Sequence, residues 1–296
     1  MIPQMLLVLN SKGGVGKTSL VAGLASTAAA SGWKVLAIDL DPQGNLARDF
    51  GYMAKSDQGA ALRSSMIDGT PLEVLHDVRE NLDVVPGGSE TAKLFMELSM
   101  ASMRGDMSFL GSLERAVAPI ASNYSLVLVD LPPGDQISHR VAAAAGRFVL
   151  VPTKGDAAST DGLVEVLTRI VEARQGINPA LELLGIAVTF IPKSAKSVDE
   201  QVRANLRELL GPEVVIFEPT IRHTTKAAID LREQGQQSAE YEGEKLRAES
   251  EMPWYRALAR GEKPKSFASA ASGLAEDYQK LSEAVLGRIV QRLGES

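Results

Sequence analysis

Cysteine is absent from the 296 residues, which excludes disulfides, thiolate metal sites and a cysteine nucleophile. Histidine is nearly absent: His76, His139 and His223 are scattered without metal-ligand spacing and read as surface or packing residues. No apolar stretch approaches the roughly 20 residues of a membrane span, and Arg147 breaks the longest candidate, 141–152. No basic segment precedes the short apolar run at the start of the chain, so no signal peptide is expected and the expected location is the cytoplasm. Excess positive charge is also missing. Lys and Arg number 31 against 37 Asp and Glu, a net charge of −6, which argues against a surface coated for nucleic acid but permits a local patch. With 45% hydrophobic and 23% charged residues, the composition is that of a globular protein with ample core material.

Short continuous apolar runs at 5–10, 35–39, 82–86, 126–131, 148–152, 183–190 and 214–217 predict strands covered on both faces. Amphipathic stretches at 19–31, 110–121, 161–175 and 198–210 lie between them. This alternation predicts an α/β fold, a doubly wound and mainly parallel sheet flanked by helices, in which ligands sit at the carboxyl ends of the strands. Three of those ends carry polar chemistry: Asn10-Ser11-Lys12, Asp39-Leu40-Asp41 and Asp130-Leu131-Pro132. No internal repeat or low-complexity linker interrupts the pattern, so residues 1–296 are expected to form one domain.

The segment Lys12-Gly13-Gly14-Val15-Gly16-Lys17-Thr18-Ser19 follows the first strand and opens a helical stretch. A glycine-rich loop in that context turns backbone N–H groups around a phosphate chain, and the helix N-terminus adds favourable partial positive charge. Lys17 is placed to reach the β/γ-phosphates and Thr18 to ligate Mg²⁺. The usual G-x-x-x-x-G-K-[ST] spacing puts glycine at position 11, where this chain has Ser11 followed by a second lysine. Asp39 and Asp41 share one side of an extended strand end, where one could orient metal-bound water and the other the attacking water; a solvated Asp-Pro turn is the competing reading. Asp130 ends four apolar residues and fits the second acidic strand of a P-loop NTPase, whose aspartate helps hold Mg²⁺.

Together the loop, Ile38-Asp39-Leu40-Asp41-Pro42-Gln43-Gly44-Asn45 and Val129-Asp130-Leu131-Pro132-Pro133-Gly134 resemble the deviant Walker A ATPases of the ParA/Soj type, partition ATPases related to MinD. Asn81–Gly88, Ile221-Arg222 and 272–281 are similar to further family segments. The resemblance implies ATP and Mg²⁺ as cofactors. Lys12 becomes a signature lysine that crosses a dimer interface, Asp41 the residue of water activation, and Asp39 and Asp130 supports for the metal. It also implies a homodimer formed on ATP, non-specific DNA binding on the nucleoid, hydrolysis stimulated by a ParB-like partner, and segregation or positioning of a plasmid, chromosome or other cargo. The family's Ile-Pro-Arg at the adenine pocket is shifted here, leaving Pro219 and Ile221 as the candidate base contacts.

DNA contacts are expected from Arg203 and Arg207, four apart on one helix face, and from Arg222 and Lys226. Phosphate neutralisation needs no base-reading motif, although Asp199, Glu200, Glu208 and Glu213 interleave and leave a plain solvated helix as the alternative. The chain begins almost directly with the first strand, so no operator-binding helix-turn-helix extension is expected. A charged stretch at 243–267, containing Trp254 and Tyr255, looks longer than the family's connection there; it reads either as a partner contact or as a surface helix. Three rivals can be set beside this reading. A MinD-like membrane-cycling ATPase is the nearest, because 281–293 is amphipathic, but its polar side is mixed in charge and lacks an aromatic anchor, so membrane binding is not expected. An iron–sulfur reductase sharing the loop needs bridging cysteines. A metabolic ATP-dependent ligase or kinase needs a second-substrate pocket.

Overall fold

The computed structural model describes residues 1–192, 195–222, 235, 240 and 271–295. In chain order its elements are β1 (Met5–Val8), α1 (Lys17–Ala30), β2 (Val35–Asp39), α2 (Leu46–Asp49), α3 (Ala60–Asp68), β3 (Leu75–Arg79), β4 (Leu82–Val85), α4 (Ser89–Met103), α5 (Ser112–Ala121), β5 (Leu126–Asp130), α6 (Gln136–Ala145), β6 (Phe148–Thr153), α7 (Ala157–Gly176), β7 (Glu182–Ile191), α8 (Lys196–Leu210), β8 (Ile221–Arg222) and α9 (Ala271–Gly294).

Successive side chains leave a strand on opposite faces, and that alternation builds two cores from one sheet. Met5 and Leu7 of β1 join one apolar cluster while Leu6 and Val8 join the other. The same division runs through Leu36 and Ile38 against Val35 and Ala37, Val127 and Val129 against Leu126 and Leu128, and Val149 and Val151 against Phe148 and Leu150. Residues of α3 to α8 cover the first face and residues of α1 and α9 the second. The central strands therefore need apolar residues on both faces, which is why they read as nearly unbroken runs.

The eight strands lie in the order β3-β4-β2-β5-β1-β6-β7-β8. Every pairing is parallel except β3 with β4, an antiparallel hairpin at the sheet edge. Because β5 returns between β2 and β1, the three strands carrying the polar ends stand side by side, with Asp39 of β2 in register with Asp130 of β5 and Val8 of β1 opposite the same residue. The expected strand at 214–217 is a correction: it contributes an isolated bridge between Ile186 and Ile216, and the edge strand proper is β8. Val215 O and Phe217 N bond the two sides of Ile186 in β7, one parallel rung that does not grow into a strand.

Helix α9 begins ten residues before the amphipathic stretch read at 281–293 and seats Leu281, Val285 and Ile289, all fully buried, against α1. Each such side chain contributes roughly 1.5–3 kcal/mol through burial. Tyr278 lies on Gly23 of α1, where a Cβ would meet its ring at 2.4 Å. The packing reading of this stretch holds, and no described helix is long and apolar enough to cross a membrane.

Candidate nucleotide site

The phosphate loop is held from below before any ligand arrives. The buried Asn10 side chain donates to Pro152 O at 2.7 Å and accepts from Lys12 N at 2.9 Å, stitching the end of β1 to β6 and starting the loop turn. Thr189 Oγ1 of β7 lies 2.9 Å from Val15 O and 3.2 Å from Thr153 O, which fixes the far side of the loop. Asn10 stood directly before the motif and Thr189 stood in an apolar strand. Only the first had a local signal, because the second acts through a contact 174 residues distant in sequence.

Gly16 caps α1 with φ +87, a left-handed conformation that favours glycine. A side chain there is also excluded by space, since its Cβ would lie 2.8 Å from Phe190 Cζ. Gly13 and Gly14 are exposed, so main chain meets whatever enters the loop. Lys17 is buried and donates to Lys12 O at 3.0 Å. Burial lowers its pKa, while Asp130 and Asp41 pull it back up.

Asp130 and Asp41 act on this lysine, and Asp39 lies beside Asp130. Asp130 is fully buried, and burial raises its pKa to about 7; the facing Thr18 hydroxyl partly offsets this without completing a hydrogen bond, so both carboxylate oxygens remain unpartnered. Asp39, also fully buried, has its pKa raised by burial and by Asp130. Its oxygens accept from Asp41 N at 2.9 Å and Leu46 N at 3.2 Å, so it organises the loop after β2. Asp41 accepts from Gln43 N at 2.9 Å. Asp41 thus heads a turn but is itself buried, where the competing sequence reading had it solvated. Among the described residues no group of three or more His, Cys, Asp or Glu forms a cation cage. Mg²⁺ takes one or two protein ligands, with substrate phosphates and water supplying the rest. The unpartnered Asp130 oxygens, the Thr18 hydroxyl and the exposed loop glycines fit a metal-bound polyphosphate.

Lys12 is exposed at the head of the loop, and its stem rests on Gly162 of α7, where a Cβ would meet Lys12 Cγ at 2.6 Å. Val15 is buried and Ser19 half-buried as α1 begins. Of the candidate base contacts, Pro219 is half-buried, whereas the Ile221 side chain packs in the core beside α1 and α9. Only main chain is then available to a base at that position.

The DNA candidates need correction. Arg203 is buried: its guanidinium donates to Phe217 O at 2.8 Å, Glu218 O at 2.7 Å, Thr220 Oγ1 at 2.6 Å and Asp199 at 3.2 Å. Arg222 is clamped bidentately by Asp277 of α9 at 2.6 Å on both arms. Both ends of those clamps lie within the fold, so neither arginine presents charge to a phosphate backbone. Arg207 differs: its side chain is 58% exposed and lies 3.6 Å from Glu218. Lys226, with Lys193, His223 and the 243–267 stretch, lies outside the described residues.

An AAA domain family model matches residues 4–183. The chromosome partitioning protein ParA of Caulobacter vibrioides is 30% identical over 215 residues, covering 71% of this chain and 78% of that protein. The chromosome-partitioning ATPase Soj of Thermus thermophilus is 33% identical over 209 residues, with the same coverage, 71% and 78%. Among solved structures, an aspartate-to-alanine variant of Cyanothece McdA in complex with ATP superposes with a TM-score of 0.72 at 19% identity, covering 96% of each chain. Mycobacterium smegmatis cobyrinic acid a,c-diamide synthase with bound ATP analog and magnesium has a TM-score of 0.66 at 25% identity, covering 90% of this chain and 99% of that one. With the phosphate loop, the acidic strand ends and these relatives agreeing, the chain belongs to the ParA/Soj-type partition ATPases of the ParA/MinD superfamily.

Proposed function

We propose that the protein is a Mg²⁺-dependent ATPase that dimerises on ATP, binds DNA without sequence preference and positions a plasmid, chromosome or other cargo. Hydrolysis stimulated by a ParB-like partner then resets the cycle, and the protein works in the cytoplasm on the nucleoid. The observation that carries this reading is the register of β2, β5 and β1, which sets Asp39 and Asp130 side by side under a loop bearing Lys12, Lys17 and Thr18.

ATP and Mg²⁺ are its cofactors. The loop N–H groups from Gly13 to Ser19 hold the phosphates, Lys17 exchanges its bond to Lys12 O for phosphate oxygens, and Thr18 with Asp130 holds the metal. Bound Mg²⁺ neutralises phosphate charge and orients the oxygens around it. Asp39 keeps the 41–46 loop in place through its two backbone bonds, and Asp41 positions the attacking water. Phosphoryl transfer asks mainly for positioning and charge neutralisation, so a lysine supplied by a second copy fits the missing piece. The exposed Lys12, braced on α7, is that lysine. Arg207 supports the DNA step as an accessible cation on α8.

The test is sedimentation and phosphate release with Mg-ATP, alone, with non-specific DNA and with liposomes. A dimer on ATP whose retention on DNA falls with salt is the expected outcome. Association with liposomes in its place favours a membrane-cycling ATPase, and turnover that requires a small molecule favours a metabolic enzyme.

A further inference from the structure

The end of β6 brings a third lysine to the phosphate loop. Lys154 directly follows Thr153, whose carbonyl shares the Thr189 hydroxyl with Val15, and Pro152 O holds Asn10. Residues at this strand end therefore have fixed places against the loop. The Lys154 ammonium comes within 3.8 Å of where a Cβ would stand on Gly14. It sits 5.1 Å from the centre of the Phe190 ring and makes no ion pair or hydrogen bond among the described residues.

Phe190 itself is held at a cost. Its φ is +61, a left-handed conformation that a bulky residue adopts only when its surroundings over-determine it, and such strain concentrates at ligand clamps. The turned backbone directs the ring against the loop, where Gly16 leaves it room. A cation over an aromatic face is held without being neutralised. The result is a charged amine, braced by a strained aromatic platform and lacking any anionic partner among the described residues, at the rim of a loop whose main chain binds anions. Lys12, Lys17 and Lys154 thus converge on the loop from its head, its end and the neighbouring strand.

We infer that Lys154 is a further nucleotide-binding residue, contributing phosphate-directed charge from β6 with Phe190 as its platform. The inference rests on the nucleotide reading above and extends it beyond the motif residues. Its test is the affinity for a fluorescent ATP analogue with Mg²⁺, measured from low to high salt for wild type, Lys154→Met and Lys154→Arg. Lys154→Met keeps the length and apolar stem but removes the charge. It should weaken binding about tenfold at low salt, with the gap narrowing to about threefold at high salt as screening grows. Lys154→Arg should stay within about threefold of wild type, and the melting temperature of the nucleotide-free Lys154→Met protein should not move. Wild-type affinity in Lys154→Met, a salt-independent loss with a lowered melting temperature, or a Lys154→Arg variant as weak as Lys154→Met each overturns the assignment, the second by reducing Lys154 to a structural prop. A wild type that binds no nucleotide at any salt overturns the nucleotide reading itself, and this inference with it.

Discussion

Arg203 and Arg207 lie one helical turn apart on α8, yet their surroundings give them opposite roles. Arg203 satisfies two backbone carbonyls, a hydroxyl and a carboxylate inside the fold; removing it breaks this network and leaves Asp199 with only the Thr220 hydroxyl among the described residues, a loss of about 3 kcal/mol by the usual cost of breaking a buried ionic network. Arg203→Met should therefore lower the urea midpoint, whereas Arg207→Glu should leave stability within about 0.5 kcal/mol and reduce salt-sensitive DNA retention. Retention unchanged in Arg207→Glu would remove α8 from the DNA surface. At the loop, Lys17→Ala should abolish ATP binding by calorimetry, because no other buried cation reaches the Asp130–Asp41 side of the site among the described residues. Asp41→Ala should bind ATP and fail to hydrolyse it, staying dimeric on DNA. Full phosphate release in that variant would take water positioning away from Asp41.

Between residues and whole fold stand the joints of helices. His139 of α6 is one: its Nε2–H donates to Pro132 O at 3.0 Å and its Nδ1 accepts from Arg169 of α7 at 3.1 Å, a pattern only the neutral ring can satisfy. Burial, reinforced by Arg169, lowers its pKa to about 4. The unfolded ring titrates near 6.5, so its contribution is intact above that pH and is lost as pH falls from about 6.5 to 4, amounting to about 3 kcal/mol by linkage. His139→Gln should flatten that part of the stability–pH curve measured by urea denaturation; an unchanged slope would mean that His139 titrates normally in the fold. A second joint is α1 against α9. Helix propensity alone favours Gly23→Ala by about 1 kcal/mol, but the new Cβ would strike the Tyr278 ring, and overpacking costs about 1–3 kcal/mol. Net destabilisation is expected, with relief when Tyr278 is also truncated to alanine; additive effects in the double mutant would deny the contact.

The helices and strands on either side of these joints differ in how far the chain announced them. Buried central strands such as β1 and β5 were legible because both faces demand apolar residues. The β3 hairpin strand was not, since an edge strand with His76, Asp77 and Arg79 among its five residues carries no continuous apolar signal. The phosphate loop and its acids were legible as local motifs. The burial of Arg203 and the Asp277 clamp on Arg222 were not, because helical spacing shows which residues share a face and leaves open whether that face meets water or a loop folded back from position 217. Thr189 and Lys154 were hidden for the same reason: they reach the loop by strand adjacency across long stretches of chain.

At the scale of the whole molecule, the role proposed for Lys12 makes hydrolysis depend on a second copy. Lys12→Ala should leave ATP binding nearly intact and slow DNA-stimulated hydrolysis at least tenfold, as loss of one transition-state charge contact predicts. Mixing it with an Asp41→Ala chain, which should still bind ATP but not hydrolyse it, and finding activity no higher than either alone, would place Lys12 outside a shared site. Where two copies can meet is constrained by the margin of the sheet. The β3 strand that ends it carries a register irregularity, a left-handed Asp77 at φ +54 and an exposed His76 tied to Asp83. Such a margin is a poor template for another strand. Strand addition is discouraged at that margin, so the pairing on ATP proposed above has to use a surface other than the β3 edge.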